Sequence, residues 1–389
     1  MPFKFCPHCG TELQPEFRFC PSCGEKRPGP ESPRKYEPVS SSFYSPPSNA
    51  AATSVINISP TPSTSSAGKN KAKKAKHATS LEPLPEGEEV TDTTGKKWKL
   101  IKQLSQSTTE LLYEGETERR TSGEEGAKDG RIFNEQNFLQ RAAKPALVEK
   151  WIKQNKLDFL GIPSCVGFGL HTDSYRSEFL IFPSMGRSLR SIIEEENEPL
   201  PEKVVLQLAY RILDVLQYIH SNEYVHADIS AKNIYIKQGQ KSQVSLVGYC
   251  HAFRYCPGGK HVEYREASRT PHEGTEFISL DAHKGAAPSR RSDLQSLGYC
   301  MLHWHTRSLP WIELTQPHQV ATQKQRYMED VPALLSHCFR KKSISTFQTY
   351  LTAVMALQYT EQPDYAALKA GFTSGLVQLG ASVEEPFGF

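Results

Sequence analysis

The most constraining stretch of this chain is the junction between its strongest amphipathic helix and a polar loop. Val204, Val205, Leu208, Ile212, Val215, Leu216 and Ile219 recur near the 3.6-residue period, so residues 204–220 are expected to bury one helical face. Directly after them comes His226-Ala227-Asp228-Ile229-Ser230-Ala231-Lys232-Asn233, and residues 243–247 then read as a short strand. Any fold must accommodate a long buried helix that delivers a charged loop to the start of a strand.

The rest of the chain sets the order of elements. Residues 97–104 partly alternate as a strand does, with Leu111-Leu112-Tyr113 as the hairpin partner. Residues 131–143 place Ile132, Phe133, Phe138 and Leu139 mainly on one side of a helix. Residues 162–170 and 179–182 read as buried strands, and 293–304 and 344–357 as later helices. Strands, a long helix, a polar loop and more helices follow one another as in a protein kinase. The loop resembles the kinase catalytic loop, H-R-D-x-x-x-x-N, with Asp228 at the base position and Asn233 at the metal position.

Further segments narrow the resemblance. Gly274-Thr275-Glu276-Phe277-Ile278-Ser279-Leu280-Asp281-Ala282-His283 stands where most kinases have A-P-E. Pro288-Ser289-Arg290-Arg291-Ser292-Asp293-Leu294, Leu297-Gly298-Tyr299 and Leu309-Pro310-Trp311 follow it, and Asn134-Glu135-Gln136-Asn137-Phe138 precedes it. Together these resemble the vaccinia-related kinase family of the casein-kinase-like group, and the altered nucleotide motifs are similar to its pseudokinase member. The resemblance implies an α+β, bilobal protein-kinase-like fold over residues 96–389, with a small β-rich lobe and a large helical lobe.

Ahead of this domain the composition changes twice. Phe5-Cys6-Pro7-His8-Cys9-Gly10 returns as Phe19-Cys20-Pro21-Ser22-Cys23-Gly24, two Cys-x-x-Cys turns that can point four thiolates at one zinc ion. Residues 1–27 are therefore expected to be a zinc ribbon with ligands Cys6, Cys9, Cys20 and Cys23, stabilised by the metal because so short a block has little core. Residues 28–95, rich in Ser, Pro, Thr and Ala, read as a disordered linker. Ser32-Pro33, Ser45-Pro46, Ser59-Pro60 and Thr61-Pro62 are candidate sites for proline-directed kinases, although a plain Pro/Ser linker shows several by chance. Lys69, Lys71, Lys73, Lys74 and Lys76 form a run suited to nuclear import, with a solubilising charge run as the plainer reading. The remaining five of the nine cysteines are scattered, which points to a reduced compartment and away from a disulfide framework. No apolar run approaches the roughly 18 residues of a membrane helix, and the N-terminus has no leader pattern, so a soluble intracellular protein without membrane contact is expected.

The catalytic parts depart from the family pattern. The loop after Leu104, Ser105-Gln106-Ser107-Thr108-Thr109-Glu110, has no glycine to let backbone N–H groups approach phosphates. Residues 113–131 lack the V-A-I-K pattern of a third strand, and Lys128 stands in a turn-like Lys128-Asp129-Gly130. The region is short relative to the family, as a splice form or an incomplete gene model would be. Glu135 matches the glutamate of the helix that follows. Gly248-Tyr249-Cys250 replaces Asp-Phe-Gly, so the metal-holding carboxylate is lost at Gly248. Ser230 replaces the lysine that usually follows the base. Each lost electrostatic group costs about 3 kcal/mol of transition-state stabilisation. His226 and Tyr249 match residues that stack between kinase lobes, and Asp293 matches the one that ties down the loop backbone.

Three functions compete. The first is a catalytically inactive, kinase-like nuclear adaptor with a possible cytoplasmic pool, binding proteins and not ATP or Mg²⁺. The resemblance implies a dual-specificity phosphatase partner and down-regulation of MAP-kinase signalling. The second is an atypical serine/threonine kinase using Asp228 as base and Lys128 as cation. The third, nucleic-acid binding by the zinc block and the lysine run, is disfavoured by a formal net charge of only +3.

Overall fold

The structure is a computed structural model that describes residues 54–60, 83–106, 111–118, 131–171, 177–237, 239, 243–265, 275–339 and 345–388. All of them lie in one compact unit running from Ala52 to Phe389. The four zinc-ligand candidates Cys6, Cys9, Cys20 and Cys23, the lysine run, residues 107–110 and Lys128 lie outside the described residues.

The small lobe is a six-stranded antiparallel sheet. Its strands are β1 (Ser54–Pro60), β2 (Glu89–Thr91), β3 (Lys97–Gln106), β4 (Leu111–Glu118), β5 (Gly167–His171) and β6 (Ser177–Pro183), in the spatial order β2-β3-β4-β1-β6-β5. The β3–β4 hairpin is where the alternation of residues 97–113 placed it. Val90, Trp98, Leu100, Tyr113, Phe179 and Ile181 line the fully buried face. Helix α1 (Arg131–Ala142) packs on the other face through Phe138 and Leu139, which join Leu180 and Phe182 in one cluster. The strand expected from residue 162 begins only at Gly167.

Strand β1 corrects the disordered linker expected over residues 28–95. Ser54–Pro60 sits in the sheet interior between β4 and β6, and residues 89–91 form the sheet edge. Composition hid this segment: Val55, Ile56 and Ile58 are an isolated apolar island in a Ser/Pro background, too short to outweigh its surroundings.

The large lobe is built on α4 (Glu202–Ser221), which is buried nearly all round, from Val204 to His220. A helix in that position must be apolar on more than one face, and α4 is. It is flanked by α6 (Arg290–Thr306) and α10 (Tyr365–Gln378). Helix α6 starts in a capping box, in which Ser289 and Ser292 each accept the other's backbone N–H. Further helices are α2 (Pro145–Asn155), α3 (Leu189–Glu196), α5 (Leu280–His283), α7 (Pro317–Glu329), α8 (Val331–Phe339) and α9 (Ser345–Ala356). Between the lobes run β7 (Arg187–Ser188), β8 (Tyr224–Val225), β9 (Ile234–Lys237), β10 (Gln243–Leu246) and β11 (Phe253–Arg254); the catalytic-like loop connects β8 to β9. No helix among the described residues is long and apolar enough to cross a membrane.

Candidate functional site

The loop geometry begins with Asp293, on the first turn of α6 and 1 % exposed. Its carboxylate accepts the backbone N–H groups of His226 (2.8 Å) and Ala227 (2.9 Å), and it lies 3.0 Å from His220 Nε2. Those bonds hold Ala227 at φ +64°, a left-handed conformation that costs an ordinary residue about 1–2 kcal/mol. The strained turn aims Asp228 away from the core. Burial favours the neutral form of Asp228, but the Lys232 ammonium at 3.0 Å outweighs it and holds the carboxyl below its usual range. Asp228 is thus an ionised carboxylate at the loop's base position.

Asn233 is tied into its own loop. Its Nδ2 donates to the Asp228 carbonyl (2.8 Å) and to Asp228 Oδ2 (2.9 Å), closing the loop on itself. Its Oδ1 packs against Gly248, which has φ +75°. A Cβ at Gly248 would lie 2.5 Å from Asn233 Oδ1 and 2.8 Å from Cγ. The place a side chain at residue 248 would fill is therefore held by Asn233.

Glu135, on α1 and 2 % exposed, accepts the Tyr249 amide N–H at 3.1 Å. One residue earlier, Asn134 Nδ2 donates to the carbonyls of Cys250 and Ala252, both at 2.9 Å. Tyr249 stacks on Phe138 with 3.9 Å between centroids and meets His226 edge-on at 4.7 Å. Burial pushes the pKa of His226 down, so its ring is neutral, with Nε2 2.8 Å from the Val247 carbonyl. Helix α1, the 248–250 turn and the Asp228 loop are in this way one packed unit. Asn233 bonds Asp228 and packs on Gly248, and Glu135 bonds the next residue, Tyr249. Sequence reasoning missed the clamp by Asn134; its partners are 116 and 118 residues away, and no local pattern marks such a pair.

Beside Asp228 opens a cavity of about 400 Å³, bordered by Ser230, Lys232, Phe277, Ile278, Trp304 and Arg307. Its wall at residues 275–278 is pinned from behind by Lys324, a fully buried residue that sequence reasoning also missed. Lys324 Nζ donates to the carbonyls of Thr275 and Ile278, both at 2.6 Å, and lies against the faces of Tyr299 and Trp311. Asp281 and Arg291 lock the end of the same segment through a bidentate ion pair at 2.6 and 2.7 Å.

A protein kinase domain model matches residues 118–361, and a zinc-ribbon domain model matches residues 5–26. The mouse serine/threonine-protein kinase VRK3 is 47% identical over 329 residues, covering 81% of this chain and 72% of that protein. The chain belongs to the vaccinia-related kinase family. Human serine/threonine-protein kinase VRK2 is 40% identical over 298 residues, covering 74% of this chain and 58% of that one. The solved structure of vaccinia related kinase 3 superposes with a TM-score of 0.71 at 46% identity, over 80% of this chain and 98% of that chain. The bilobal fold, the kinase-like loop and the resemblance drawn from the segments around Asp281 and Asn134 are those of this family. Among the described residues no group of three or more His, Cys, Asp or Glu side chains is placed to hold a metal.

Proposed function

We propose that this chain is a catalytically inactive, kinase-shaped adaptor that works by binding proteins. The observation that carries the reading is Gly248. Mg²⁺ beside a triphosphate needs anionic oxygen, and residue 248 supplies no side chain while Asn233 occupies the space one would take. The strand in the third-strand slot, Ser54–Pro60, adds no lysine, and Glu135 serves the Tyr249 amide. The test is a thermal melt of the full chain with ATP and Mg²⁺. A binder gains stability as RT ln(1 + [L]/Kd), about 2.7 kcal/mol at a hundredfold excess over Kd. The adaptor reading expects no shift at millimolar nucleotide, and a saturable Mg²⁺-dependent shift defeats it.

The runner-up, an atypical serine/threonine kinase, draws support from the ionised Asp228 and the open cavity beside it. Phosphate transfer that disappears in Asp228→Asn would establish that activity. Four thiolates in paired Cys-x-x-Cys turns fit a tetrahedral zinc ion, so Cys6, Cys9, Cys20 and Cys23 are proposed as its ligands. One zinc per chain, lost in Cys6→Ser/Cys9→Ser, is the expected metal analysis. A phosphatase partner and nuclear import through Lys69, Lys71, Lys73, Lys74 and Lys76 complete the proposal. Pull-down from nuclear extract and relocation of a Lys73→Ala/Lys74→Ala variant test them.

A further inference from the structure

The small lobe needs a strand between β4 and β6, and the stretch directly after β4 cannot supply one. Residues 119–130 contain a single apolar side chain, Ala127, among glycines and charges. A strand buried on both edges requires β-branched or aromatic residues. Between residues 28 and 82 the densest β-branched run is Val55-Ile56-Asn57-Ile58.

We propose that Ser54–Pro60 is a strand donor, and that the facing edges of β4 and β6 are an acceptor site built for it and filled by it within the same molecule. Three observations carry this. The segment pairs on both sides at once: Ile56 stands opposite Tyr113 and Ile181, and Ile58 opposite Leu111 and Phe179. Ile56 and Ile58 are 0 % and 1 % exposed. The acceptor is shaped to the donor at Gly115, where a Cβ would lie 2.5 Å from Ile56 Cδ1 and 2.8 Å from Cγ1. The Ile56 side chain occupies the volume that any side chain at residue 115 would claim.

The donation has a chemical consequence. Val55 and Asn57 stand opposite Phe182 and Leu180, on the face that packs against α1. An uncharged pair therefore lies on the sheet face turned to the Glu135 helix. The segment that the family uses for its lysine is replaced by one drawn from ahead of the domain. The inference concerns how the lobe is completed and holds whether or not the chain transfers phosphate.

Two experiments on the full chain test it. Val55 and Glu114 are directly paired, and facing Cβ atoms in antiparallel strands are near disulfide reach. Val55→Cys/Glu114→Cys should oxidise to a bond that peptide mapping finds within one chain, at monomer mass on a non-reducing gel. Absence of the bond, or a bond between two copies, overturns the proposal. Independently, Gly115→Ala should lower Tm by roughly 2–10 °C through overpacking. Adding Ile56→Ala should then cost less than Ile56→Ala costs alone, because the two changes share one volume. Strict additivity, or a silent Gly115→Ala, shows that Ile56 does not fill this site and sinks the idea.

Discussion

Restoring the lost carboxylate should damage the protein and leave it without metal-dependent nucleotide binding. In Gly248→Asp the new residue inherits φ +75°, which costs an L-residue about 1–2 kcal/mol, with aspartate toward the lower end. Its Cβ meets Asn233 Oδ1 at 2.5 Å, and Asn233 cannot swing away freely because its Nδ2 holds two bonds to Asp228. Overpacking of this kind costs about 1–3 kcal/mol, giving a total of roughly 2–5 kcal/mol before any repulsion from Asp228. For a domain of this size each kcal/mol lowers Tm by about 2–4 °C. Gly248→Ala carries the same strain and clash without the charge, so it should show most of the loss. Differential scanning fluorimetry with and without Mg²⁺ and ATP reads both effects. The reasoning is refuted if Gly248→Ala melts with wild type while Gly248→Asp gains a Mg²⁺-dependent shift with ATP.

Asp293→Ala removes the acceptor for two buried backbone N–H groups and the contact to His220, so it should cost about 3–5 kcal/mol in urea denaturation, with Asp293→Asn milder. Hydrogen exchange should localise the opening to residues 226–229. Lys324→Met leaves the carbonyls of Thr275 and Ile278 without their buried donor; each unsatisfied group costs about 1–3 kcal/mol, and exchange should rise in residues 275–283. Burial depresses the pKa of His226, and that of His283 to about 4 with help from Lys324, so below the ordinary value of 6.5 the unfolded chain binds more protons than the native one. Stability should therefore fall as pH drops from about 6.5 towards 4, read as a falling urea midpoint; a flat profile would show that these rings are not buried neutral.

The legible part of the fold was the part written in local periodicity. Helix α4 and strands β3 and β6 announce themselves because burial forces a repeat on the residues that face the core. The catalytic-like loop was legible for another reason: its spacing is fixed by the turn it makes against α6, so Asp228, Asn233 and Asp293 keep recognisable separations. Strand β1 was not legible because a central strand needs few residues, and three apolar side chains among Ser and Pro do not form a pattern until the acceptor edges are known. The clamps by Asn134 and Lys324 were illegible for a related reason. Each is a single polar side chain whose hydrogen-bond partners lie more than 40 residues away. Helix α2 has no buried residue and meets the core only through half-buried side chains such as Val148, Trp151 and Ile152.

The retained acids of the kinase frame are held by partners within the chain. Asp228 is tied to Lys232 and Asn233, Glu135 to the Tyr249 amide, and Asp293 to two backbone N–H groups and His220. Every one of these contacts is internal to the chain. The cavity wall at residues 275–278 follows the same logic, held by Lys324 from within the lobe. The surface around Asp228 is thus braced from within the chain by Asn233, Lys232 and Lys324.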